Sequence, residues 1–154
     1  FFGLMNVDGD PFVIEYNARL GDPESEVILP RIGSDLYDLL EGVARRDLGT
    51  REMIISPETV VTVMMVSGGY PDGYLKGYPI SGMEKIKEST VFHAGTAMVD
   101  GHLSTSGGRV LAVTSGGSTL AEALAVSYRS IGKITFEGMN YRRDIGFDLK
   151  NKEG

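Results

Sequence analysis

Apolar residues at the start of the chain follow a two-stranded pattern. Residues 1–7 and 12–17 are dominated by apolar side chains, and residues 8–11 (DGDP) separate the two runs. A glycine in this turn tolerates positive φ, and a proline suits the entry to a strand. The pattern therefore predicts a β-hairpin. Because the chain opens on an apolar run without an initiator methionine, we expect it to be part of a longer protein.

Two helical patterns follow the hairpin. Asp22 stands before Pro23 and Glu24, an order that predicts an N-cap, a proline at the first helical position and an acidic residue near the positive end of the helix dipole. Pro30 should end this helix. Ser34 is the predicted N-cap of a second helix. Its apolar residues recur at helical spacing and predict one stripe that packs inward: Leu36, Leu39, Leu40 and Val43.

From residue 58 onward the pattern is that of strands with one helix. Residues 60–66 (VVTVMMV) are almost all β-branched or apolar, which is typical of a strand buried on both faces. Thr119 and Glu122 match a capping box at the start of a helix that Gly132 should end. Further strands are predicted over residues 91–99 and 102–106, which meet at a turn of Asp100 and Gly101, and over residues 109–114.

The change of pattern divides the chain into two parts of an α+β fold. Residues 1–52 are predicted to contain the strand hairpin and the first two helices. Residues 53–154 are predicted to form a small, mainly antiparallel β-sheet domain with one main helix. The sequence contains no internal repeat or long linker between these parts.

The composition narrows the class of protein. With 154 residues, 42% of them hydrophobic and 23% charged, the chain is in the range of ordinary globular domains. A formal net charge of −6 opposes broad contact with nucleic acid, and no apolar stretch approaches the roughly 20 residues of a membrane span. Cysteine is absent, which excludes disulfides and thiolate metal sites and is compatible with a reducing cytoplasm. We therefore expect a soluble, cytoplasmic protein with no nucleic-acid or membrane partner.

Glu15 and Asn17 are the first candidates for chemistry. Side chains alternate between the faces of a strand, so these two should project from one face, with their backbones about 7 Å apart. Carboxylate and amide oxygens are suitable ligands for Mg²⁺, with water and phosphate oxygens completing the coordination. The alternative is a polar strand face in contact with solvent, because a Glu-x-Asn tripeptide is common.

The residues that follow are more specific. Residues 15–26 (EYNARLGDPESE) closely resemble the signature of the phosphoribosylamine–glycine ligases, the glycinamide ribonucleotide synthetases of purine biosynthesis. Residues 19–26 fit the diagnostic octapeptide of that family. The similarity continues at residues 68–71 (GGYP), 91–96 (VFHAGT), 107–111 (GGRVL) and 143–146 (RDIG). The resemblance covers essentially the whole chain.

The resemblance implies a fold and a reaction. The family belongs to the ATP-grasp ligases, and residues 1–52 resemble the end of the ATP-grasp domain, with residues 53–154 as the small C-terminal domain. In the family, ATP phosphorylates the carboxylate of glycine. The amine of 5-phosphoribosylamine then attacks the acyl phosphate to give glycinamide ribonucleotide, ADP and phosphate. The implied partners are the substrates ATP, glycine and 5-phosphoribosylamine, and the missing N-terminal part of the same chain. We expect the 154 residues to have no activity without that N-terminal part.

The resemblance also implies roles for individual residues. Glu15 and Asn17 would be the metal ligands, holding Mg²⁺ or Mn²⁺ against the ATP phosphates. Arg19 would be the catalytic residue and would bind substrate, with its guanidinium on the acyl phosphate. The alternative for Arg19 is an ion pair with Asp22 or Glu24. Asp22 would either bind substrate or serve as the helix N-cap, and Glu24 is expected to act on the helix dipole.

Two other functions stay open. A different ATP-grasp carboxylate–amine ligase or carboxylase shares the Glu-x-Asn-x-Arg pattern, although residues 21–24 (GDPE) favour the glycine ligase. A non-catalytic structural module would carry the same residues as a polar strand face. Mg-ATP-dependent ligation distinguishes the module from either enzyme, because the module has no turnover.

Overall fold

The computed structural model describes residues 2–149 and begins with a hairpin. Strand β1 (Phe2–Val7) pairs antiparallel with β2 (Asp10–Tyr16), and the two strands form a sheet of their own. Asp8 and Gly9 in the turn have positive φ, as the sequence of the turn predicts. The predicted hairpin is thus confirmed. Phe1 and residues 150–154, which the sequence assigns to the ends of the two predicted parts, lie outside the described residues.

The first helix is short and begins later than the sequence predicts. Helix α1 spans Ser25–Ile28 with Glu24 as its N-cap, and a 3₁₀ turn follows at Leu29–Arg31. Asp22 and Pro23 precede the cap, so the prediction of an Asp22 N-cap is wrong. The Asp22 carboxylate instead forms an ion pair with Arg109.

The N-cap of helix α2 (Leu36–Arg45) is Asp35 and not the predicted Ser34. The Asp35 carboxylate accepts a hydrogen bond of 2.8 Å from a backbone N–H of the first helical turn. The Ser34 hydroxyl donates to the Glu52 carbonyl and accepts from the Ile54 N–H, each at 2.7 Å. Of the predicted inward stripe, only Leu39 is buried, with 8% of its surface exposed. The other members of the stripe are exposed: Leu36, Leu40 and Val43.

An antiparallel sheet forms the centre of the second half of the chain. Its strands are β3 (Thr59–Val66), β4 (Thr90–His93), β7 (Arg109–Gly117) and β8 (Asn140–Tyr141), in the spatial order β4-β7-β3-β8. Strands β5 (Thr96–Val99) and β6 (His102–Thr105) form a separate hairpin. Strand β8 is not predicted by the sequence.

The prediction of one strand over residues 91–99 is wrong, because the chain leaves the sheet at Gly95. The Gly95 N–H donates to the Arg109 carbonyl at 2.7 Å. A Cβ at Gly95 would lie 2.5 Å from the Gly107 Cα, so only a glycine allows the two backbones to come this close. The chain therefore passes from β4 into β5 through a break in the strand.

Helix α3 (Leu120–Ile131) packs against the sheet. Thr119 Oγ1 accepts a hydrogen bond of 3.2 Å from the Glu122 N–H, which confirms the predicted N-cap. Apolar residues of the helix pack with those of β3 in two core clusters. Strand β3 alternates between buried and half-buried side chains, so the prediction of burial on both faces is wrong. Only the side chains that alternate toward the core lose their contact with solvent.

The antiparallel sheets and helices together confirm a mixed fold of α and β elements. Of the helices within residues 2–149, none is long and apolar enough to cross a membrane. The boundary between residues 1–52 and 53–154, and the assignment of the first part to an ATP-grasp domain, stay predictions.

Candidate active site

Glu15 is near the end of β2, on the open hairpin. It pairs in register with Gly3, and the next pair, Leu4 with Val13, skips Ile14, so a β-bulge in β2 lies directly beside Glu15. A Cβ at Gly3 would lie 2.9 Å from Glu15 Cγ, so the glycine leaves room for the Glu15 side chain across the strand pair. Asn17 follows the last residue of β2, and both residues line a cavity of about 800 Å³. The structure therefore brings the two predicted metal ligands to one cavity.

A tight turn at residues 21–25 forms another part of the cavity wall. The Ser25 N–H donates to the Gly21 carbonyl at 3.2 Å, and the Gly21 N–H donates to Glu24 Oε2 at 2.8 Å. A Cβ at Gly21 would lie 2.6 Å from Glu24 Cδ, so a glycine is needed for the carboxylate to fold back over the turn. The Glu24 carboxylate thus stabilises the turn through its hydrogen bond with the Gly21 N–H. The predicted interaction of Glu24 with the helix dipole does not include this contact.

Asp22 is held by a residue from the other half of the chain. Arg109 Nη2 lies 2.8 Å from Asp22 Oδ2, and Arg109 Nη1 donates to the Asp22 carbonyl at 3.4 Å. Arg109 is the first residue of β7 and lines the same cavity. Sequence reasoning gave Arg109 no role, although it stands in the motif at residues 107–111. Arg109 is 87 positions after Asp22 in the chain, so no local sequence pattern signals their contact.

Arg19 lines the cavity and forms no ion pair among the described residues. Its side chain is exposed, and its Nη1 donates to the Leu20 carbonyl at 3.0 Å. The alternative interpretation, an ion pair with Asp22 or Glu24, is not what the described residues form, since both carboxylates have other partners. Because a guanidinium has five N–H donors, Arg19 keeps donors for an anionic ligand.

Acidic and basic side chains share the cavity. Glu26 Oε2 is buried and has no hydrogen-bond partner among the described residues. A buried carboxylate oxygen is costly to leave unpaired, and a ligand that donates a hydrogen bond would satisfy it. Sequence reasoning gave Glu26 no role. The charged residues that line the cavity are Glu15, Asp22, Glu24, Glu26, Arg19 and Arg109.

The donor set of the cavity suits a hard cation with few protein ligands. Within residues 2–149, no group of three or more His, Cys, Asp or Glu side chains is arranged to hold a metal ion. A cation here would depend on the Glu15 carboxylate, the Asn17 amide oxygen, and oxygens of water and phosphate. Mg²⁺ is usually bound in this way, with one or two carboxylates and several non-protein ligands. The roles of Glu15 and Asn17 stay predictions.

Comparisons with known proteins give a consistent result. Residues 60–148 match the family model of the phosphoribosylglycinamide synthetase C domain. The chain is 42% identical over 145 residues to the phosphoribosylamine–glycine ligase of Caldanaerobacter subterraneus, which covers 94% of this chain and 35% of that relative. It is 45% identical over 150 residues to the trifunctional purine biosynthetic protein adenosine-3 of Gallus gallus, over 96% of this chain and 15% of the relative. The crystal structure of phosphoribosylamine–glycine ligase from Thermotoga maritima aligns with a TM-score of 0.76 and 39% identity, over 93% of this chain and 35% of that chain.

The named relatives are phosphoribosylamine–glycine ligases and a trifunctional purine biosynthetic protein, so the chain is similar to enzymes of one class. The chain belongs to the phosphoribosylamine–glycine ligase family. It spans 35% of the length of the Caldanaerobacter ligase that it matches.

Proposed function

We propose that this chain is the C-terminal part of a phosphoribosylamine–glycine ligase, which joins glycine to 5-phosphoribosylamine with hydrolysis of ATP to ADP and phosphate. The family assignment supports this proposal. The observation that carries it is the cavity, because one cavity gathers all four residues that the sequence selects for the reaction: Glu15, Asn17, Arg19 and Asp22. Arg109, from the other half of the chain, lines the same cavity and adds a second cationic side chain to it.

The residues present fit a divalent cation. Glu15 and Asn17 contribute hard oxygen donors to the cavity and would hold Mg²⁺ or Mn²⁺. When bound, the ion neutralises charge on the ATP phosphates during phosphoryl transfer. The protein contributes the placement of both ligands, one on β2 and one just beyond it.

Arg19 and Asp22 act on the substrates. The exposed guanidinium of Arg19 binds the phosphoryl group of the glycyl phosphate through two parallel N–H donors, and so stabilises the charge that moves to its oxygens. Asp22 contacts substrate at the turn of residues 21–25. ATP, glycine and 5-phosphoribosylamine are the substrates, and the enzyme is cytoplasmic. Residues 1–52 complete an ATP-grasp domain, and residues 53–154 form the small C-terminal domain.

Glu15→Gln in the full-length ligase tests the proposal. The amide keeps the size of the side chain but loses the charge that holds the cation, so kcat at limiting Mg²⁺ should fall at least about tenfold. Asp10→Asn is the matched control, because Asp10 is an exposed acidic residue of the same strand outside the cavity. The assay is glycine-dependent ADP release, with melting temperature measured in parallel. Unchanged kcat with normal stability would remove Glu15 from the site.

The remainder of the ligase is also needed for turnover. The 154-residue chain corresponds to 35% of a ligase relative, and we expect most substrate contacts to be made by the rest. The chain alone should therefore release no ADP in the presence of glycine and 5-phosphoribosylamine. Turnover at the rate of an intact ligase would contradict this.

A further inference from the structure

Arg109 is fixed by its backbone at a defined place beside the cavity. It is the first residue of β7 and pairs in register with Val66 of β3. Its carbonyl accepts a hydrogen bond of 2.7 Å from the Gly95 N–H. The preceding carbonyl, of Gly108, accepts one of 2.8 Å from the Ser67 N–H. The main chain that carries the Arg109 side chain is therefore bonded to two other segments.

The residue before Arg109 is fixed by packing. A Cβ at Gly108 would lie 2.6 Å from Tyr70 Cε2 and 3.0 Å from Tyr74 Cε1, because the two tyrosine rings lie over the glycine. The rings also contact each other, with centroids 6.0 Å apart. The start of β7 is thus packed under two tyrosine rings. The close backbone contacts around it involve three glycines: Gly95, Gly107 and Gly108.

From this position the Arg109 guanidinium makes two contacts with one residue. Nη2 lies 2.8 Å from Asp22 Oδ2, and Nη1 donates to the Asp22 carbonyl at 3.4 Å. A single ion pair would constrain only the carboxylate, whereas this arrangement constrains the Asp22 main chain as well. The side chains are 39% and 58% exposed, and exposed ion pairs contribute little to global stability. The contact therefore sets local geometry more than it stabilises the fold.

We infer that Arg109 is a positioning residue of the ligase site, acting through Asp22 to hold the turn of residues 21–25 at the cavity. The effect of Arg109 on catalysis rests on the proposed function. The ordering of the turn of residues 21–25 by Arg109 does not depend on that function. The central sheet of the second half of the chain thereby orders a turn of the first half. Substrate contacts of Asp22 in that turn then depend on a residue that need not touch substrate.

Hydrogen exchange of the full-length ligase, measured without substrates, tests the structural claim independently of activity. The Ser25 N–H bonds to the Gly21 carbonyl and reports the order of the turn. In Arg109→Ala its exchange should become about threefold faster or more, because local opening no longer has to break the ion pair. Arg129→Ala is the matched control: Arg129 is on α3 and forms an exposed ion pair of 3.6 Å with Glu88, away from the cavity. Unchanged Ser25 exchange in Arg109→Ala would overturn the inference.

A double-mutant cycle in the full-length ligase tests the catalytic consequence. Arg109→Ala and Asp22→Asn should each lower kcat, and the losses should be less than additive in the double variant, since both remove the ion pair between Arg109 Nη2 and Asp22 Oδ2. Arg109→Lys, which keeps the charge, should restore part of kcat. The KM for 5-phosphoribosylamine should stay within about twofold in Arg109→Ala.

Two outcomes of the cycle would contradict a positioning role. Additive losses with a raised KM for 5-phosphoribosylamine would mean that Arg109 binds the substrate phosphate directly. A lower melting temperature with normal kcat would mean that the ion pair is structural only. Failure of the proposed function is distinguishable from both, because it would appear as full activity of Glu15→Gln and would leave the exchange result unaffected.

Discussion

Arg19→Lys in the full-length ligase tests the proposed catalytic role of Arg19. Lysine keeps the positive charge but loses the planar pair of N–H donors that binds two oxygens of one phosphoryl group. That interaction is strongest as charge moves in the transition state. We therefore expect kcat to fall at least about tenfold, a rise of roughly 1.4 kcal/mol in the activation barrier, with little change in the KM for ATP.

The structure predicts only a small effect of the same change on stability. The Arg19 side chain is exposed, and its hydrogen bond of 3.0 Å goes to the carbonyl of the next residue in the chain. Surface substitutions of this kind change the free energy of unfolding by about 0.5 kcal/mol or less, a shift of roughly 2 °C or less in Tm. An interpretation of Arg19 as a stabilising ion-pair partner predicts the opposite pattern, with reduced Tm and intact turnover.

Both quantities should be measured on the same variants. Glycine-dependent ADP release gives kcat, and a thermal unfolding scan gives Tm, for Arg19→Lys and Arg19→Ala. Arg129→Lys serves as a control, because this exposed arginine of α3 lies outside the cavity. Near-normal kcat in both Arg19 variants would refute the catalytic assignment.

Two further predictions concern backbone strain and titration. Gly82 has a φ of +90°, and a Cβ there would lie 2.8 Å from a backbone carbonyl carbon, so Gly82→Ala should lower the free energy of unfolding by about 2 kcal/mol or more in urea. Gly73→Ala, with nothing within 4 Å of its Cβ, should be close to neutral, and equal effects at the two positions would contradict the reasoning. Hydrogen bonds from the Ser118 hydroxyl and N–H hold the pKa of the Glu122 carboxyl below its ordinary value. The stabilisation from this contact is present at neutral pH and is lost as pH falls through the lowered pKa. In an NMR titration Ser118→Ala should raise the pKa of Glu122, and an unchanged value would rule out the hydroxyl as its cause.

Elements that depend on neighbouring residues could be predicted from the sequence. The turn at Asp100 and Gly101 needs two residues of positive φ, which the Asp-Gly pair tolerates, and both have positive φ. The cap at Thr119 depends on a backbone N–H three positions later, and it forms. In each case the chemistry that decides the structure lies within one turn of the chain.

Elements that depend on distant contacts could not be predicted in this way. Asp22 has the local features of an N-cap, but its carboxylate is bound by Arg109, 87 positions away. Ser34 likewise bonds to the backbone of residues 52 and 54 instead of capping α2. The four residues selected from the sequence line one cavity, whereas Arg109 and Glu26 could be recognised only from coordinates.

The exposure of the β1–β2 hairpin has a consequence for the affinity of the site. Every side chain of β2 is exposed, the apolar ones included, and an isolated two-stranded sheet is marginally stable in water. Glu15 is on this strand, so a cation that needs the Glu15 carboxylate binds only the fraction of molecules in which the hairpin is formed. The apparent dissociation constant is the intrinsic one divided by that fraction. If Glu15 binds a cation as proposed, a surface that covers Phe12 or Ile14 would tighten that binding without providing a single ligand atom, and the affinity for the cation would measure how well the hairpin is packed.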